Sequence, residues 1–75
     1  MLKIFNALQL RVGDHCLVLV GGQHRHGEVV YRGRAYLSPI QVRFENGEHR
    51  WFNLKTGTTA IVAGVRKING SWQPL

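Results

Sequence analysis

Residues 40–44 alternate without a break: Ile40, Val42 and Phe44 take one side of the chain, Gln41 and Arg43 the other. That is the period of a half-buried strand. Asn46-Gly47 follows, a dipeptide suited to the positive φ angles of a two-residue type I′ turn, so residues 48–54 are predicted to return as a second strand. Upstream, Val12-Gly13-Asp14 reads as a turn into a strand over 15–20. The glycine-flanked stretch 21–27 reads as a polar loop, and 28–31 as another strand. Gly33 and the Ser38-Pro39 step make 32–39 irregular. Downstream, Lys55-Thr56-Gly57 predicts a turn and the β-branched run 58–62 a strand. A second Asn-Gly, at 69–70, predicts a hairpin between 65–68 and 71–73. The first ten residues fit two patterns equally well. Leu2, Ile4, Leu8 and Leu10 suit a strand, while Ile4, Phe5 and Leu8 suit one short helical face.

Short strands at close spacing in a 75-residue chain predict a single all-β domain over 1–75, either a small barrel or two tightly packed sheets. Closure is favoured because it removes strand edges that would aggregate. The runs Val12-Gly13-Asp14-x-Cys16-x-Val18, Gly27-Glu28-Val29 and Val42-Arg43-Phe44-Glu45-Asn46-Gly47 together resemble the SH3-like small barrels of the Tudor and KOW type. The resemblance implies an SH3-like barrel of five or six strands in which Val29 and Tyr31 point inward. Members of that group bind nucleic acids, methylated peptides or protein partners, so it implies an architecture more narrowly than a function.

Charge sharpens the picture. Ten Lys and Arg oppose four Asp and Glu, giving +6, and seven of the ten cations are Arg. Arginine forks two bonds onto phosphates and stacks on bases, so the balance points to an acidic partner, nucleic acid first among them. Cys16, the single cysteine, excludes an intramolecular disulfide and any multi-cysteine zinc site, and an unpaired thiol fits the cytoplasm. No signal-peptide pattern is read at the N-terminus. The longest apolar run, 16–20, is far short of the ~20 residues of a membrane-spanning helix, so no membrane partner is expected.

A two-residue turn at Asn46-Gly47 would set Arg43 opposite Arg50, Val42 opposite Trp51 and Gln41 opposite Phe52. Trp51 would then join the core, as would Trp72 by default. The other face would carry Arg43, Arg50, Gln41 and an exposed Phe52. Two facing arginines repel, a small cost that a bound phosphate would reverse, and Phe52 could stack a base. The bland alternative is a solvated strand pair whose arginine stems cover apolar surface. Arg25, in His24-Arg25-His26, and Arg32, Arg34 and Tyr36, in the Tyr-Arg-Gly-Arg-Ala-Tyr run, would extend the track; solvated arginines beside glycines are equally common.

Other chemistries fare worse. His15, His24, His26 and His49 match no zinc spacing, so neither metal nor cofactor is expected. Asp14-His15-Cys16 is no catalytic trio, because neighbouring strand residues face opposite ways. A methyl-lysine cage from Trp51, Phe44, Phe52, Tyr31 and Tyr36 would be interleaved with repelling arginines. The sequence thus predicts a non-catalytic nucleic-acid-binding domain, with DNA favoured over RNA. The rival is a protein-interaction module, or small regulator, docking on an acidic surface of a larger complex. Oligomeric state is not legible.

Overall fold

Two glycines in succession organise the first half of the chain. A computed structural model describes residues 5–34, 39–53 and 60–75. In it Gly21 and Gly22 have φ of 56° and 80°, the left-handed pair of a type I′ turn, whose twist matches that of the strands it joins. Strand β1 (His15–Val20) therefore pairs at once with β2 (Gln23–Arg32), beginning at Val20 opposite Gln23. The polar loop predicted over 21–27 shrinks to these two residues. His24, Arg25 and His26 belong to the ladder, because a turn this tight needs no further residues to reverse the chain.

Strand β3 (Ile40–Phe44) falls where alternation predicts it and buries Ile40, Val42 and Phe44. It is followed by β4 (His49–Phe52), β5 (Ile61–Ile68) and β6 (Ser71–Pro74). The separate strands predicted at 58–62 and 65–68 merge, within the described residues, into β5, which runs straight through Gly64. A side chain there would meet Phe5 at 2.8 Å and Leu10 at 3.0 Å, so the glycine marks close packing, not a break. Asn69 and Gly70 form the expected two-residue turn, with φ of 51° and 82°.

All six strands are antiparallel neighbours in one sheet, in the order β4-β3-β2-β1-β5-β6. Register shifts at Leu17/Val18 and Val29/Tyr31 bend it. The domain measures 28 × 28 × 25 Å, whereas one flat layer would be about 10 Å thick. The sheet is thus coiled around its own inner face, a barrel-like all-β fold. Leu10, Val18, Val29, Ile40, Val42 and Ile61 meet inside, with Ala7, Cys16 and Phe44. One 3-10 turn, Ala7–Gln9, covers an end of this core, capped by Asn6, whose Oδ1 accepts the Leu8 N–H at 3.0 Å. Of the two readings of the N-terminus, the helical one holds over these residues.

Asp14 ties the covering turn to the barrel. It is buried, and its carboxylate accepts two bonds from the Arg66 guanidinium, Nε to Oδ1 at 2.9 Å and Nη2 to Oδ2 at 2.8 Å. The Arg11 N–H donates to the same carboxylate, and Arg66 reaches on to the Gln9 carbonyl. The hydrogen bond to Asp14 holds the Arg66 proton more tightly than water would. Among the described residues no helix is long and apolar enough to cross a membrane.

Candidate nucleic-acid interface

The β3–β4 turn decides which side chains can act together, and it is one residue longer than the Asn-Gly rule predicts. Phe44 pairs with Glu48: its N–H donates to the Glu48 carbonyl at 2.8 Å, and the Gly47 N–H donates to the Phe44 carbonyl at 3.0 Å. Of the dipeptide only Gly47 is left-handed, at φ 85°. Asn46 keeps an ordinary φ and turns its Oδ1 to the Glu48 N–H. This is a three-residue loop closed by a left-handed glycine, the next most common hairpin connection.

The extra residue moves every β4 side chain to the opposite face. Arg43 faces His49, Val42 faces Arg50, Gln41 faces Trp51, and Ile40 faces Phe52. Phe52 therefore packs against the core instead of standing exposed, while Trp51 is 55% exposed instead of buried. Arg43 and Arg50 lie on opposite faces and cannot hold one phosphate between them. Each also has its own carboxylate, Arg43 bonding Glu28 at 2.9 Å and Arg50 bonding Glu48 at 3.2 Å. The expected repulsive pair is absent. Arg25 lies over the Phe44 ring, 4.3 Å from its centroid, with Glu48 at 3.9 Å, closing the core near the β3–β4 turn.

A second slip acts on Tyr31. The bulge at Val30 gives β2 one residue more than β3 in this interval, so Val29 stays inward while Tyr31 turns out, 49% exposed. The expectation that Tyr31 is core is thereby overturned. Tyr31, Gln41 and Trp51 form one row across β2, β3 and β4 on the outer face, with the two rings edge-to-face and their centroids 5.4 Å apart. Trp72 is likewise outside, 47% exposed, and packs with a tilted ring against His15, which shares a 2.8 Å hydrogen bond with His26. Both tryptophans leave the core because the registers of β4 and β6 turn them outward.

Several cations lie toward the end of the barrel covered by the 3-10 turn. Arg32 ends β2 and donates to the Leu8 carbonyl at 3.4 Å, and exposed Arg34 follows two residues on. Arg11 and Lys67, both exposed, line a 260 Å³ cavity with Gly13 and the Asp14–Arg66 pair at its back. Among the described residues Arg11, Arg66 and Lys67 thus stand around a single acid, Asp14, which is already paired with Arg66. Glu45 and Glu48 lie at the β3–β4 turn and Glu28 in mid-strand. Of the sequence-predicted residues, Arg32 reaches the 3-10 turn, Arg34 is exposed just beyond β2, Gln41 and Arg43 belong to the outer face, and Arg25, Arg50 and Phe52 to the inner side. Tyr36 lies outside the described residues. Arg11 and Lys67 were not singled out from the sequence. The two are isolated in sequence, and only the β1–β5 pairing makes them neighbours.

Three alternatives meet the same geometry. No group of three His, Cys, Asp or Glu able to hold a metal occurs among the described residues. Cys16 faces the core and His15 the outside; burial and the nearby Asp14 charge push the thiol up to about 11, so it is a poor nucleophile. Phe44 and Phe52 point inward while Tyr31 and Trp51 point outward, so these four rings form no cage. No protein-family model, curated protein or solved structure matches the chain.

Proposed function

We propose that this protein is a small, non-catalytic nucleic-acid-binding domain of the SH3-like kind. The observation that carries the reading is the cavity beside the 3-10 turn, where Arg11, Arg66 and Lys67 surround one acid, Asp14. Positive charge concentrated this way attracts a polyanion and raises its encounter rate. Arg11 and Lys67 take the role of phosphate contacts that Arg43 and Arg50 lose to Glu28 and Glu48. The buried, unpaired thiol suits a reducing cytoplasm, where nucleic acid is at hand.

Fluorescence anisotropy with a labelled oligonucleotide across a salt series tests this. Affinity should fall steeply with salt. The Arg11→Ala/Lys67→Ala double variant should bind about tenfold more weakly near 50 mM salt, with a log–log slope shallower by about 1.5. Both residues are exposed, so stability should stay within about 0.5 kcal/mol of wild type. Binding indifferent to salt, or untouched by the double substitution, would refute the reading. The rival reading, a module docking on an acidic protein surface, would be favoured if no nucleic acid binds at low salt.

A further inference from the structure

We infer that His15 and His26 form a binding site for one divalent ion of the late first transition series, of the copper(II) or nickel(II) kind. The inference is independent of the nucleic-acid reading. Register makes the site. The two-residue turn at Gly21-Gly22 sets Glu28 opposite His15 and His26 opposite Leu17, so the two histidines are diagonal neighbours on the outer face. Their rings close the gap, with His15 Nδ1 2.8 Å from His26 Nε2. The two residues are eleven apart in sequence, a spacing that matches no zinc pattern, and only the ladder brings them together.

The geometry selects the ion. With metal–nitrogen bonds of about 2.0 Å, two ligands at about 90° stand about 2.8 Å apart, and two at a tetrahedral angle about 3.3 Å. The observed spacing is that of adjacent ligands on a tetragonal or octahedral ion, so copper(II) and nickel(II) fit, while zinc(II) needs the rings to part by about 0.5 Å. The other ring nitrogen of His26, Nδ1, faces the Glu45 carboxylate at 3.8 Å. A proton held there leaves Nε2 bare for the ion, which is the carboxylate–histidine arrangement found around metal ligands. Trp72 holds His15 from the side of β6, its ring centroid 4.4 Å from that of the imidazole. A 350 Å³ cavity beside the pair is lined also by Glu28, Glu45 and Arg43. Arg43 bonds Glu28 at 2.9 Å, so its charge is matched and Glu45 keeps the surroundings anionic. No third His, Cys, Asp or Glu completes a protein ligand set among the described residues, and the cavity has space for water at the remaining positions.

Titration of the full chain, first treated with a chelator, with copper(II) tests the proposal. In a Trp51→Phe background tryptophan emission comes from Trp72 alone, and a paramagnetic ion on His15 should quench it with saturation at one equivalent. Nickel(II) and zinc(II) should compete, each more weakly than copper(II), and magnesium(II) should not. His26→Gln keeps a hydrogen-bonding group toward His15 but removes an imidazole, and should weaken copper binding at least about tenfold, as should His15→Gln. His24→Ala and His49→Ala should bind as the parent does. Electron paramagnetic resonance of the copper complex should show coupling to two imidazole nitrogens, and to one in His26→Gln. Should His15→Gln unfold, His26→Gln and the two-nitrogen spectrum of the parent decide. If millimolar copper(II) gives no saturable quenching, or His24→Ala weakens binding as much as His26→Gln, the site is refuted and the contact is a hydrogen bond only. A His26→Gln variant with a lowered thermal midpoint but unchanged copper binding would refute it equally.

Discussion

At the scale of single residues, Asp14 and Cys16 show how this small barrel holds polar groups inside. Asp14 is 3% exposed and keeps its charge because Arg66 offers it a fork of two hydrogen bonds. Truncating Arg66 strands that carboxylate. Arg66→Ala should therefore lower urea-measured stability by about 3 kcal/mol. Adding Asp14→Asn should cost less than the two single losses combined, since no buried charge then remains. Cys16 titrates in the opposite sense to a paired carboxylate. Its proton is held to about pH 11 in the fold but released near pH 8.5 in an unfolded chain. The thiol's contribution is complete below about pH 8.5 and is lost as pH rises toward about 11, because over that window the folded state binds more protons. The urea midpoint of the wild type should fall more steeply between those pH values than that of Cys16→Ala.

At the scale of elements, glycines and turn lengths govern what the strands can do. Gly27 lies in mid-β2 opposite Phe44, and a methyl group there would collide with Val42 Cγ1 and press on the Arg43 carbonyl, 3.4 Å away. Val42 is fully buried and has nowhere to retreat. Gly27→Ala should cost about 1–3 kcal/mol and lower the thermal midpoint by roughly 4–8 °C for each kcal/mol. The two Asn-Gly pairs make a natural contrast. At 69–70 both residues are left-handed and the strands meet after two residues; at 46–47 only the glycine is, and the strands meet after three. Beside Asn46-Gly47 the longer loop brings Phe52 opposite Ile40 and onto the core, whereas β6 is exposed along its length and has no comparable burial to satisfy.

At the scale of the whole molecule, charge is distributed by topology. Three of the four acids carry bonds to arginines, Asp14 to Arg66, Glu28 to Arg43 and Glu48 to Arg50, and Glu45 lies 3.8 Å from His26. The net +6 is therefore not spread evenly. Exposed Arg11 and Lys67 line one cavity beside the Asp14–Arg66 pair. The steep salt dependence expected of nucleic-acid binding belongs to this scale, since it counts phosphates met by the surface as a whole.

Much of this was written in the chain. The all-β character, the place and inward face of β3, the β1 span, the buried thiol and the final hairpin follow from period-two alternation and turn chemistry, which neighbouring residues settle among themselves. Composition likewise supplied the excess of positive charge. What the sequence left open was which face Tyr31, Trp51 and Phe52 occupy, and whether Arg43 meets Arg50 or Glu28. Those outcomes turn on a bulge at Val30 and one added residue in a loop, and a shift of one residue reverses every side chain that follows. Only the coiled sheet as a whole, filling its interior with Phe52 and leaving Trp51 outside, determines which of two registers of nearly equal local merit is adopted.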